Sequence, residues 1–137
     1  MKKQVLNTMY HSVYNIHYHL VLVTKYRRHC ITPEVAAYLE SQYKRLLKSW
    51  GCELLECNGE PDHLHLLISA NPKMQPSKMG NSLKTATSRL VRKEFSEHLG
   101  EFYWKPVFYS RSYCLVSCGG APLEIVKQYL AQQEGFD

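Results

Sequence analysis

Two histidines, His63 and His65, stand one residue apart in PDHLHLLIS, residues 61–69. A neutral imidazole is a metal ligand, so a pair at this spacing invites a chemical reading. Side chains on a strand alternate between faces, which sends Leu64, Leu66 and Ile68 one way and His63, His65 and Leu67 the other. The two imidazoles then project side by side and can converge on one small cation. His-x-His also arises by chance on half-exposed strands, and two protein ligands do not complete a metal site.

A second pair sits in LEIVKQYLAQQ, where Tyr129 and Gln133 are four residues apart and so share a helix face one turn apart. A phenol oxygen is a competent nucleophile and a glutamine carbonyl is an oxygen ligand. Leu123, Val126, Tyr129 and Leu130 also fall at helical spacing, which is the pattern of an aromatic packed in a core. If this helix docks on the open face of the sheet, His63, His65 and Gln133 supply two nitrogens and one oxygen. That set suits Mg2+ or Mn2+ and leaves positions for phosphate oxygens. Tyr129 would then face the phosphate. A phenol with an unperturbed pKa of about 10 needs a polarised electrophile and help in losing its proton.

These residues need a fold to position them. Asn15 to Thr24 is rich in aromatic and β-branched residues and predicts a strand, followed by the basic cluster Lys25, Tyr26, Arg27 and Arg28. Thr32 caps and Pro33 opens a helix that Gly51 closes. Strands are predicted at 52–58 and 63–70, with a turn at 59–62 between them. A second helix, Ser77 to Leu99, carries Lys84, Arg89 and Arg92, and Gly100 stops it. The last strand falls at Ser112 to Cys118, since Pro106 would interrupt a central one. Gly119 and Gly120 form a joint, placing a hinge at 118–121 before a tyrosine-bearing helix at 122–133. The order β-α-β-β-α-β plus a final helix predicts an α+β, ferredoxin-like antiparallel sheet with two helices on one face.

With 137 residues, 45% hydrophobic and 21% charged, the chain fits one domain spanning 1–137. Its apolar runs are too short to span a membrane and no signal-peptide pattern opens it, so a cytoplasmic protein is expected. Seventeen Lys plus Arg against twelve Asp plus Glu give a net charge of +5, which suits a polyanion and equally an ordinary basic surface. Five cysteines, an odd number without an export signal, read as reduced thiols; their spacings match no usual zinc knuckle. Trp104 and Tyr113 read as core or interface aromatics. Lys25, Tyr26, Arg27, Arg28, Lys84, Arg89 and Arg92 are the candidate nucleic-acid contacts, phosphate-binding cations with an aromatic for stacking.

Taken together, HYHLVLVTKYRR at 17–28, PDHLHLLIS at 61–69, LKTATSRLVRKEF at 83–95 and SCGGAPLEIVKQYLAQQ at 117–133 resemble the single-tyrosine HUH transposases of small bacterial and archaeal insertion sequences and their REP-associated relatives. The resemblance covers nearly the whole chain, and no motif position departs from the family pattern. It implies His63, His65 and Gln133 as ligands of Mg2+ or Mn2+ and Tyr129 as the nucleophile. It further implies cleavage and rejoining of single-stranded DNA bearing hairpins through a 5′-phosphotyrosine link. A homodimer is implied too, in which the tyrosine helix can complete the partner's site. Asp62 reads either as a ligand-orienting carboxylate or as an ordinary turn residue. A domesticated HUH nickase acting on repeated palindromes, a non-catalytic nucleic-acid-binding module and a zinc-binding structural protein are the competing readings.

Overall fold

The computed structural model describes residues 7–9, 12–117 and 129–132. Two short strands, β1 (Asn7–Met9) and β2 (Ser12–Tyr14), pair antiparallel ahead of the main sheet. The opening segment therefore carries an antiparallel strand pair that its polar sequence does not predict. Strand β3 (Ile16–Val23), helix α1 (Pro33–Ser49), strands β4 (Glu53–Glu60) and β5 (His63–Ala70), helices α2 (Pro76–Glu94) and α3 (Ser96–Gly100) and strand β6 (Cys114–Ser117) follow. All main-sheet pairings are antiparallel and the order is β4-β5-β3-β6, which is the predicted ferredoxin-like arrangement.

Local chemistry explains most boundaries. The Thr32 hydroxyl accepts from the Val35 amide at 3.2 Å and Pro33 stands at the first helical position, so α1 begins where predicted. At its end Gly51 adopts φ +75°, a conformation that favours glycine. The predicted helix Ser77 to Leu99 is in fact two helices. Phe95 leaves helical geometry at φ −118°, ψ 41°, and its side chain meets Tyr38 edge-on. The break thus coincides with a long-range aromatic contact that helical spacing does not register. The hinge expected at 118–121 and most of the helix expected at 122–133, Gln133 included, lie outside the described residues; 129–132 are helical.

The pleat divides the sheet as its sequence implies. Leu20 and Leu22 of β3 and Leu64, Leu66 and Ile68 of β5 are buried under α1 and α2 with Val35, Leu39, Tyr43, Leu47, Leu83 and Val91. Burying three such side chains on β5 contributes roughly 5–9 kcal/mol, comparable with the whole stability of a domain. A one-residue register slip would forfeit it. Beneath these layers the Tyr43 and Tyr109 hydroxyls meet at 2.6 Å, and Thr87 joins Tyr109 at 2.8 Å. Three buried polar groups thus satisfy one another. Of the cysteines, Cys30, Cys52, Cys57 and Cys114 are free thiols. Among the described residues no helix is long and apolar enough to cross a membrane.

The β4–β5 hairpin places His63, and Gly59 sets how closely its strands approach. A Cβ at Gly59 would lie 2.1 Å from the His63 carbonyl oxygen and 2.9 Å from the Leu64 Cα. Backbone cannot yield as a flexible side chain can. Gly59→Ala is therefore expected to destabilise the fold by about 1–3 kcal/mol, read as a lower urea midpoint at an unchanged slope.

Candidate active site

The antiparallel register sets His65 opposite Val21 and His63 opposite Val23. These four side chains share the face of the sheet turned away from α1 and α2. Val21 and Val23 are fully buried there by Cys114, Tyr129 and Leu130. The helical turn carrying Tyr129 therefore docks on the histidine face, in the same chain. The Tyr129 and Ser112 hydroxyls lie 3.0 Å apart, which fixes the phenol beside the entry to β6.

His63 is held by its neighbour. Its Nδ1 lies 2.9 Å from the Asp62 Oδ1, leaving Nε2 as the ring's remaining coordinating position. The turn reading of Asp62 is thus incomplete, because the carboxylate also orients an imidazole, the arrangement that fixes tautomer and ring direction in metal sites. The other carboxylate oxygen accepts from Arg27, at 3.0 Å from Nε and 2.8 Å from a terminal nitrogen. Burial by itself raises the Asp62 pKa. The hydrogen bonds from His63 and Arg27 and the Arg27 charge outweigh it and hold the group below its ordinary value.

Arg27 reaches further, donating to the Leu130 carbonyl at 3.3 Å. One guanidinium thus links the carboxylate behind His63 to the backbone next to Tyr129. To do so the chain accepts two left-handed residues in succession, Tyr26 at φ 57° and Arg27 at φ 52°, neither of them glycine. Each such residue costs on the order of 1 kcal/mol or more. The surrounding anchors hold them: the Thr24 amide donates to the Asp62 carbonyl at 3.0 Å and the Lys25 amide to the Phe108 carbonyl at 2.8 Å.

The position of His19 is not among the sequence expectations. Its Nδ1 stands 2.6 Å from the His65 Nε2, and the rings stack with centroids 4.7 Å apart. The signal was present in HYHLVLV, since alternation puts His19 on the same face as Val21, diagonal to His65. Burial first, then the His19 charge, lowers the His65 pKa. Neutral imidazole, the metal-binding form, is thereby favoured.

The histidine face offers donors of the kind a divalent cation takes: one imidazole oriented by a carboxylate, and a second whose neutral form is favoured. A cation at the His65 Nε2 must compete with the His19 contact. Among the described residues no group of three His, Cys, Asp or Glu is placed to hold an ion, so the pair needs a ligand from elsewhere. Gln133, expected as that ligand, lies outside the described residues.

The candidate nucleic-acid contacts divide. Lys25, Tyr26, Arg27 and Arg28 lie in the turn just described, with Arg27 committed to Asp62 and Leu130. Lys84, Arg89 and Arg92 belong to α2, on the layer across the sheet from the histidines. There Lys84 donates to the Arg111 carbonyl and Arg92 to the Ser88 hydroxyl. The structure does not bring them to the site. Tyr113 packs against Gly80 as an interface aromatic, whereas Trp104 is 91% exposed and is no core residue.

A family profile described as Transposase IS200 like matches residues 12–133, which takes in β2 through the tyrosine turn. The chain belongs to the IS200-like transposase family. It is a DNA transposase of that family, similar to the ISDra2 transposase TnpA of Deinococcus radiodurans at 29% identity over 88% of this chain and 86% of that one. It is 28% identical to the transposase for insertion sequence element IS200 of Salmonella typhimurium over 90% of this chain and 80% of the relative. A crystal structure of a transposase candidate from D. radiodurans R1 superposes with a TM-score of 0.84, at 29% identity, over 93% of this chain and 97% of that one. A REP-associated tyrosine transposase solved with a REP hairpin shares the fold at 12% identity and a TM-score of 0.50, covering 92% and 68% of the two chains.

In this IS200-like transposase the Arg27–Asp62 pair generates a prediction. Because the Asp62 pKa is depressed in the folded state, its stabilisation is present above the ordinary aspartate value of 3.8 and is lost as pH falls through the folded value. Arg27→Gln removes the outer charge, so acid unfolding followed by circular dichroism is expected to begin at higher pH than in the parent.

Proposed function

We propose that the protein cleaves and rejoins single-stranded DNA at hairpin-bearing element ends, with Tyr129 as the nucleophile and His63, His65 and Gln133 holding Mg2+ or Mn2+. The observation that carries this reading is the docking of Tyr129 on the face that bears both histidines, tied there through Arg27.

The chemistry needs little beyond positioning. The Tyr129 oxygen attacks the phosphorus, an O–P bond to tyrosine forms, and the bond from phosphorus to the 3′ oxygen breaks. The phenol proton is balanced by the proton that the released 3′ oxygen gains. A 3′-hydroxyl then attacks the phosphotyrosine in the reverse sense, restoring the phenol. Because the phosphoester energy is retained, no nucleotide cofactor is required. A cation held by His63, His65 and Gln133 would neutralise charge on the phosphate and make the phosphorus more electrophilic. Ser112 fixes the phenol, Asp62 orients His63, and Arg27 holds both parts in register, so in-line alignment supplies much of the rate. The hairpin partner is supported by the fold shared with a REP-associated transposase solved on a REP hairpin. A homodimer, in which the tyrosine helix can complete the partner's site, is part of the same reading.

Incubation with end-labelled single-stranded hairpin DNA and Mg2+ or Mn2+ is expected to give a denaturant-resistant protein–DNA adduct. Tyr129→Phe should abolish it, and an adduct surviving that substitution would overturn the nucleophile. His63→Ala and His65→Ala are expected to remove metal dependence together with activity. Asp62→Asn should weaken Mn2+ binding, measured by electron paramagnetic resonance, by about 10–100-fold. Cleavage unaffected by chelator would sink the metal assignment.

A further inference from the structure

We propose that Tyr26, Trp104 and Lys105, with Lys25 and Arg28, form a stacking site for the unpaired nucleotides of the DNA strand that flanks the hairpin. This deepens the reading above and rests on it. Trp104 is 91% exposed and Tyr26 38%, while the residues around them are not: Tyr103 is 7% exposed and Phe108 1%. The indole is thus held outside by a buried frame. The Tyr103 hydroxyl donates to the Lys25 carbonyl at 2.7 Å and the Lys25 amide to the Phe108 carbonyl, locking the segment that carries Trp104 to the turn that carries Tyr26.

Cations surround the two rings. The Lys105 Nζ stands 5.3 Å from the Tyr26 centroid and 5.6 Å from Trp104. The Lys25 Nζ and Arg28 Cζ lie 5.3 and 5.6 Å from Tyr26. Exposed aromatic faces interleaved with cations are the two elements of a single-strand platform, one for base planes and one for phosphates. The patch also continues into the candidate active site, since Arg27, the next residue after Tyr26, holds Asp62 and the Leu130 carbonyl. The left-handed backbone of Tyr26 and Arg27 sends these adjacent side chains to different tasks, one to the surface and one beneath it.

Binding can be measured without chemistry, using full-length protein in chelator and a fluorescent hairpin with or without an oligothymidine tail. Trp104→Ala is expected to weaken binding of the tailed hairpin by about tenfold, the typical effect of losing one stacked base, and to leave the blunt hairpin within about twofold. Lys105→Ala should lower the salt dependence of tail binding by about one counterion. In a Trp50→Phe background, where Trp104 is the sole tryptophan, its emission should be quenched by the tail. Equal loss on tailed and blunt hairpins, or no loss on either, would overturn the site. So would a shift in oligomeric state by Trp104→Ala with tail binding intact, which would make the patch a protein interface. If the tail effect appears but no covalent adduct forms with metal, the stacking site stands and the strand-transfer reading falls.

Discussion

The Arg27–Asp62 ion pair is the contact on which the rest of the candidate site depends. Asp62 lies at the tip of the β4–β5 hairpin, Arg27 in the turn after β3, and Leu130 in the helical turn that carries Tyr129. Three separately encoded segments meet at one guanidinium. A fork-shaped, permanently charged donor can satisfy a carboxylate and a carbonyl together, which a lysine cannot match in geometry. With side chains 27% and 9% exposed, the pair is only partly screened by solvent, and it joins the carboxylate that orients His63 to the guanidinium that reaches the Leu130 carbonyl.

That contact is held at a cost in backbone strain. Two consecutive residues with positive φ would relax if cut loose, yet Thr24, Lys25 and Ile31 fasten the turn through backbone bonds to Asp62, Phe108 and Pro61. The fold therefore stores unfavourable geometry beside the histidine face and balances it with hydrogen bonds from the two neighbouring loops. The buried leucine layer on the opposite side of the sheet supplies the stability that makes such a concession affordable.

Much of the arrangement was legible because it obeys short-range rules. Period-two alternation assigned Leu64, Leu66 and Ile68 to the core and His63 and His65 to the other face. The Thr32-Pro33 start fixed α1, and strand β5 falls at His63–Ala70 as expected. What escaped depends on long-range packing. The helix ends at Phe95, whose ring meets that of Tyr38, an aromatic nearly sixty residues away by number. His19 joins the site only once the register with β5 is known. Trp104 reads as a core or interface aromatic by type, and only the packed structure, with Tyr103 and Phe108 buried and the indole outside, separates the two. The role of Arg27 was equally hidden. In sequence it is one of three cations within four residues, and nothing local distinguishes the one that turns inward.

Strand β5 has a consequence for how this protein can vary. One face of it carries the fold and the other carries the histidines, so the same eight residues are read twice. Substitutions can tune either face separately. An insertion or deletion of one residue cannot, because it would drive imidazoles into the leucine layer and leucines onto the open face. A change of length in this strand therefore costs the core and the histidine face together, whereas a substitution costs only one of them.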